Sequence, residues 1–431
     1  MVNDRIAQLM EMQYVYERLE REFHTDSYAY YSIYIYMKNS FLLISFVVFL
    51  GVNAQNITYI DLTLAKIEQI PANRIFKEII CLPLETHMDG LIDFRFTTYY
   101  LNDKYIIAND RMNGAFLFNR EKGTFIREIS SRGQGPDDYL GLLYKNYAFD
   151  EKNSILFVEN GNSWKCINIE TNKVESIIKR PITNSENEQF KAFAPWLIKD
   201  DIYLSFCNNS SGKNKIKLVV FDKEGTLLKK YQNYAEYNKI AKNSFPSNNG
   251  IFYYYNDHTF FKEYLYNDTV FCVDENSLSP HIIFKLGERQ PSYYHQEEPS
   301  YNKKKYLINF VYESDLYVLF SFVYYTDTKT ETRLGITDAT GVTYHTGYYD
   351  KISKQAYISS TSDFKQSGYI VDGIPICFSP FYINNKNEMI TQIDPEELIK
   401  YKDVIGKEYL HLFQNTLEDD NPIVVIAKLK E

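Results

Sequence analysis

One pattern recurs along the chain: an alternating apolar run, a polar turn, and a second alternating run. It reads AFLFNREKGTFIREI at 115–129, KCINIETNKVESII at 165–178 and KLVVFDKEGTLLKKY at 217–231. It returns as TVFCVDENSLSPHIIFKLG at 269–287 and RLGITDATGVTYHTGYY at 333–349. Period-two alternation around Asp, Asn and Gly turns is the signature of a β-hairpin. Each hairpin follows a further strand that starts at a polar corner, such as DKYIIAND, NSILFVEN or HTFFKEYLY, with a sixth, NEMITQID, from 387. Before each of these lies one more apolar stretch: LIDFRFTTY, YKNYAFD, AFAPWLI, GIFYYYND, YLINFVYE and ICFSPFYI. Four strands, A to D from the inside out, thus repeat about every 50 to 70 residues, the period of a propeller blade.

Six such units predict an all-β fold: a six-bladed β-propeller of four-stranded antiparallel blades. The last unit lacks its D strand, because the chain ends after PIVVIAKLK at 422–430. FKEIICLPLE at 76–85 is otherwise unassigned. An N-terminal strand that completes the last blade closes the ring and hides two sheet edges. A helical insertion is expected at about 394–418 in the last blade, with Asp394 as N-cap and Pro395 in the first turn.

The N-terminus reads differently. MKNSFLLISFVVFLGVNAQ, from Met37, has one lysine, an apolar run and small residues at a cleavage spacing. This is a secretory signal peptide pattern over 37–54. Residues 1–36 then look like a mis-assigned start, 55–75 an N-terminal segment and 76–431 the propeller. The rival reading is a membrane anchor, for which the apolar run is short. The expected location is periplasmic or secreted. No cysteine follows the cleavage position, so no stable membrane anchor is expected after cleavage. The five cysteines are dispersed and sit mostly in apolar runs, which suits small core residues better than a disulfide framework.

At 45% hydrophobic residues the chain can bury a core, which excludes disorder. A net charge of −9 with scattered basic residues leaves no footprint for nucleic acid.

The stretch ISSRGQGPDDYL at 129–140 invites a chemical reading. A phosphate loop needs GxxxxGK[ST] running into a helix, and Pro136 and Asp137 deny it. A calcium loop needs alternating oxygen ligands, whereas Asp137 and Asp138 are adjacent. The turn reading is favoured: Gly133 and Gly135 supply positive φ, Pro136 fixes the exit, and Asp137 or Asp138 accepts turn N–H groups. Topology makes this a D–A connection, on the same end as the B–C loops. Arg132, Gln134, Asp137, Asp138 and Tyr139 are therefore candidate ligand contacts. Trp164 and Trp196 are two more, as stacking platforms for a sugar, against an inter-blade packing role. PSYYHQEEPSYNKKKY at 291–306 is the longest irregular connector and lies at the same end.

The pieces GTFIREISSRGQGPDDYL, YNDTVFCVDENSLSPHIIFKLG, NEMITQIDPEELI and DDNPIVVIAKLK resemble the six-bladed propeller family of exported Gram-negative bacterial proteins, related in fold to NHL and TolB-like propellers. The resemblance implies the fold and export. It supplies no catalytic residues. No HExxH, GxSxG or identifiable Ser-His-Asp set occurs, so catalytic residues are unassigned, and no metal or cofactor is expected. A noncatalytic binding or scaffolding propeller that holds a protein, peptide or glycan is the leading expectation. The alternative is an extracytoplasmic enzyme acting on a glycan at the channel mouth.

Overall fold

The computed structural model describes residues 57–431, apart from 94–96, 111, 132, 134, 140–148, 183–189, 241–249, 326–330, 333–334, 337–341, 361–367, 375–376, 381 and 414–415. The leader and signal-peptide readings therefore lie outside the described residues.

The strands form a β-propeller of seven blades, which corrects the expectation of six. Blades 1 to 4 follow the repeat, and the inner strands of blades 1 to 5 are Thr97–Leu101, Phe149–Asp150, Trp196–Lys199, Gly250–Tyr255 and Tyr306–Glu313. Blade 6 is the addition. It pairs Cys377–Phe378 with Tyr369–Ile370 and, outermost, Ile70–Pro71. Blade 7 runs Tyr382–Ile383, Glu388–Ile393, Ile423–Leu429 and Phe76–Pro83.

The miscount has a physical cause. ICFSPFYI reads as one strand, but Pro380 interrupts it, and proline donates nothing to a ladder. Cys377–Phe378 and Tyr382–Ile383 are consequently short strands of two different sheets. Blade 5 also differs in register. Its C and D strands are Val342–Asp350 and Gln355–Ser359, not the two halves of 333–349. Glu331–Thr332 and Gly335–Ile336 form a separate small hairpin inserted between strands B and C.

The N-terminal strand does pair with the last strand, antiparallel from Ile423↔Pro83 to Leu429↔Phe76. The segment before it is a strap. Thr58–Asp61 pairs parallel with the outer strand of blade 4, and Lys66–Glu68 with that of blade 5. Ile70–Pro71 then completes blade 6. The chain thereby covers four outer edges in succession, each an otherwise open row of backbone donors and acceptors.

The insertion in blade 7 is four short helical pieces, not one helix: Pro395–Ile399, Lys402–Val404, Lys407–Tyr409 and Leu410–Phe413. Asp394 caps the first, accepting the Glu396 N–H at 3.0 Å. The break falls at Ile405–Gly406, where the backbone is extended and the Gly406 N–H donates to Gly373 O at 2.7 Å. A tertiary hydrogen bond there overrides local helical preference.

The two ends of the propeller differ. The A–B and C–D turns are tight and polar. Asp200 and Asp201 (φ 35° and 60°) and Asn256 and Asp257 (φ 47° and 60°) are two-residue turns with both residues left-handed, a conformation that Asn and Asp tolerate. At the other end the D–A connections are long, and the B–C connections of blades 5 and 7 carry the insertions, whereas the B–C turns of blades 1 and 2 are short.

Candidate loop-end binding face

The stretch at 129–140 folds around one carboxylate. Asp138 accepts the Gly135 N–H at 2.8 Å and the Ser131 hydroxyl at 2.9 Å. These bonds, the backbone one first, hold its pKa below the usual carboxylate value. Neither Gly133 nor Gly135 has positive φ, which corrects the expected reason for these glycines. Their role is room: a Cβ at Gly133 would sit 2.1 Å from Asp138 Oδ2, and one at Gly135 2.8 Å from it. Pro136 O accepts from Lys165 Nζ at 3.1 Å, and the same ammonium donates to Asp138 O. Asp137 Oδ1 accepts the Val174 N–H at 3.0 Å, tying the loop to blade 2. Tyr139 is buried in the seam between blades 1 and 2, among Ile107, Leu117 and Leu156. Arg132 and Gln134 lie outside the described residues.

Trp164 is 2% exposed. It packs against Phe221 of blade 3 with ring centroids 5.9 Å apart, and the Arg180 guanidinium covers it at 4.8 Å. No face of this ring is left for a sugar. Trp196 is half-buried on the inner strand of blade 3, beside Phe252 and Tyr254 of blade 4 at 5.7 and 4.7 Å. Both tryptophans join blades.

The connector at 291–306 belongs to a polar cluster that the sequence reading missed. Glu263, at the end of strand B in blade 4, is buried. Its carboxylate pairs with Lys217 of blade 3 and accepts from Tyr293 Oη at 2.8 Å and Asn267 Nδ2 at 3.2 Å. Burial opposes its charge, but the Lys217 ammonium and the hydrogen bonds outweigh that and keep its pKa low. Its neighbour Lys262 is 0% exposed and donates to the carbonyls of Glu263 and Ile308, the latter at 3.3 Å. Adjacent charges in the apolar run HTFFKEYLY were the available signal. Glu263 is ionised and fully engaged, so it has no oxygen free for acid–base work.

Among the described carboxylates whose acidity is shifted, Glu151 alone is weakened, to about 6 and mainly by burial. It sits in an A–B turn at the opposite end. The axis is crowded by rings from inner strands: Tyr100 packs on Phe149 at 5.8 Å, and Tyr253 on Tyr312 at 6.1 Å. Among the described residues no three His, Cys, Asp or Glu side chains converge as metal ligands. All five cysteines are buried free thiols, with burial pushing Cys81 up to about 12 and Cys166 to about 11.

What the loop end does carry is exposed apolar surface. Met88 (92% exposed), Tyr234 (88%), Ile182, Tyr294, Val404 and Leu417 all lie in its connections. Among the described residues, the A–B and C–D turns at the other end contribute Ile352 alone.

The family model described as "Domain of unknown function (DUF4934)" matches residues 57–428. The chain belongs to the DUF4934 family. The match begins at the strap and ends in the last strand of blade 7, so the DUF4934 unit is the whole closed propeller. Two solved structures share its fold. A "Putative exported protein" from Bacteroides fragilis is 14% identical with a TM-score of 0.65, over 87% of this chain and all of that one. A member of the duf4221 family from Bacteroides vulgatus is 8% identical with a TM-score of 0.50, over 82% and 97%. At these identities the likeness concerns fold alone. Neither is named as an NHL or TolB-like protein, and no curated protein matches this DUF4934 chain.

Proposed function

We propose that this DUF4934 chain is an exported, noncatalytic binding propeller whose loop-rich end holds a protein, peptide or glycan, and a protein before the others. The observation that carries the reading is the asymmetry of exposed apolar side chains. Residues such as Met88, Tyr234 and Val404 lie in the connections of one end, while the opposite end is built of short polar turns. Loops on a rigid scaffold are where binding residues gather, and apolar side chains exposed on them from several blades offer contact area to a partner that spans that end. Export is supported by the name of the Bacteroides fragilis neighbour and by the signal-peptide pattern at 37–54.

The loop-end carboxylates described above are engaged, which favours binding over glycan hydrolysis. The test compares the full chain with a Met88→Ser/Tyr234→Ser variant in affinity capture from the periplasmic fraction. The expected result is a discrete partner retained by the wild type and reduced at least ten-fold by the variant, with thermal stability unchanged. Equal capture by both, or turnover of a glycoside panel by the wild type, would overturn the proposal.

A further inference from the structure

We infer that the face of blade 5 turned toward blade 6 holds a second, separate site, which takes a neutral saccharide. The described strands of blade 6 are two residues long each, whereas strand C of blade 5, Val342–Asp350, has nine. Side chains alternate across a sheet. Phe320, opposite Gly347, meets Phe284 of blade 4 at 5.5 Å. The next residue, Tyr348, therefore points to the other side, toward blade 6, where Tyr369 Oη donates to the Gly347 carbonyl at 2.8 Å.

Register places Tyr317, Asp350, Tyr348, Tyr357 and Lys66 on that one face, because Tyr317 pairs with Asp350, Tyr348 with Tyr357, and Tyr357 with Lys66. Together with Glu68 and Arg74 of the strap region they line a cavity of about 320 Å³. Tyr348 and Tyr357 stack at 4.7 Å, nearly parallel at 9°, and Tyr317 stands edge-on to Tyr348 at 5.7 Å. Arg74 forms the roof. Its guanidinium pairs with Glu68, donates to the Tyr348 hydroxyl at 3.3 Å and lies 5.6 Å from the Tyr357 ring centre.

Hydrogen-bonding capacity is left over on both sides. Glu68 engages Arg74 through Oε1, and Asp350 uses Oδ1 to accept the Ile352 and Ser353 N–H groups at 2.8 and 3.0 Å. The second oxygen of each has no partner among the described residues. Lys66 makes no ion pair among the described residues and lies over the Tyr357 ring at 5.5 Å. Two cations and two carboxylates cancel, so the cavity favours neither an anion nor a cation. Tyr348 is buried, so the half-buried rings of Tyr317 and Tyr357 are those within reach of a ligand, and with the open acceptors and donors they suit one that is neutral, rich in hydroxyls and has an apolar ring face. The volume is at the lower end of ligand pockets, about 300–1,000 Å³, which limits the bound portion to a small unit.

The test titrates the full chain with maltotriose, cellotriose and N,N′-diacetylchitobiose by ligand-observed NMR, with glucuronic acid and lysine as charged controls. The expected result is saturation transfer to at least one neutral sugar, weakened at least ten-fold by Tyr317→Ala and by Glu68→Gln. The Met88→Ser/Tyr234→Ser variant should bind it as the wild type does, which separates this site from the loop-end surface. Silence of all three sugars, equal or stronger binding of a charged control, or unchanged sugar binding in Tyr317→Ala with a native melting curve would each overturn the inference.

Discussion

Lys262 shows how a single residue sets a solution property of the molecule. Burial pushes its ammonium down to about 7, from an ordinary 10.5. Below pH 7 the folded and unfolded chains both hold the proton. Between about pH 7 and 10.5 only the unfolded chain does, so this residue makes stability rise with pH across that window. The slope is at most about 1.4 kcal/mol per pH unit. Lys262→Met should remove that rise and leave the protein at least as stable at pH 7, measured as urea midpoints from pH 6.5 to 10. A variant that keeps the wild-type slope would show that Lys262 is not the group responsible. His345 acts at lower pH. Burial holds its imidazole down near 4, so it contributes a loss of stability as pH falls from 6.5 toward 4.

At this scale the sequence was partly legible. The turn at 129–140 was readable as backbone architecture because glycine, proline and aspartate have few other uses together. The reason for the glycines was not, since the approach of Asp138 to Gly133 depends on how the loop folds back. Trp164 illustrates the same limit: its residue type favours inter-blade packing over a platform, but only the position of Phe221 in the next blade decides.

At the scale of elements, the hairpins of blades 1 to 4 were legible because alternation and turn chemistry agree there. Blades 5 and 6 were not. Strands of two residues leave no periodicity to read, and the inserted hairpin at 331–336 imitates the start of a C strand. The strap was equally hidden, because parallel addition to an outer edge has no local sequence signature. It carries a testable consequence. Ile70 is fully buried in the edge strand of blade 6, so Ile70→Ala should cost about 2–5 kcal/mol in urea unfolding. Hydrogen exchange should rise at Tyr369–Ile370 and at the outer strand of blade 5 while blade 1 stays protected. Uniform loss of protection, or none, would mean that the strap is not a distinct element of the fold.

For the whole molecule, closure follows from the pairing of Phe76–Pro83 with Ile423–Leu429. Arg120 of blade 1 reinforces it by donating to Glu388 of blade 7 at 2.6 Å. Closure makes a rigid platform with two unlike ends, one of polar turns and one of long loops bearing apolar side chains. That asymmetry is the basis for reading the protein as a binding propeller. It is tested most directly by site-specific photo-cross-linking in cells that make the protein, with a cross-linking amino acid at Tyr234 in one strain and at Ile352 in another. A discrete adduct from position 234 and none from 352 is the predicted result. Adducts of equal yield from both ends, or from 352 alone, would contradict it.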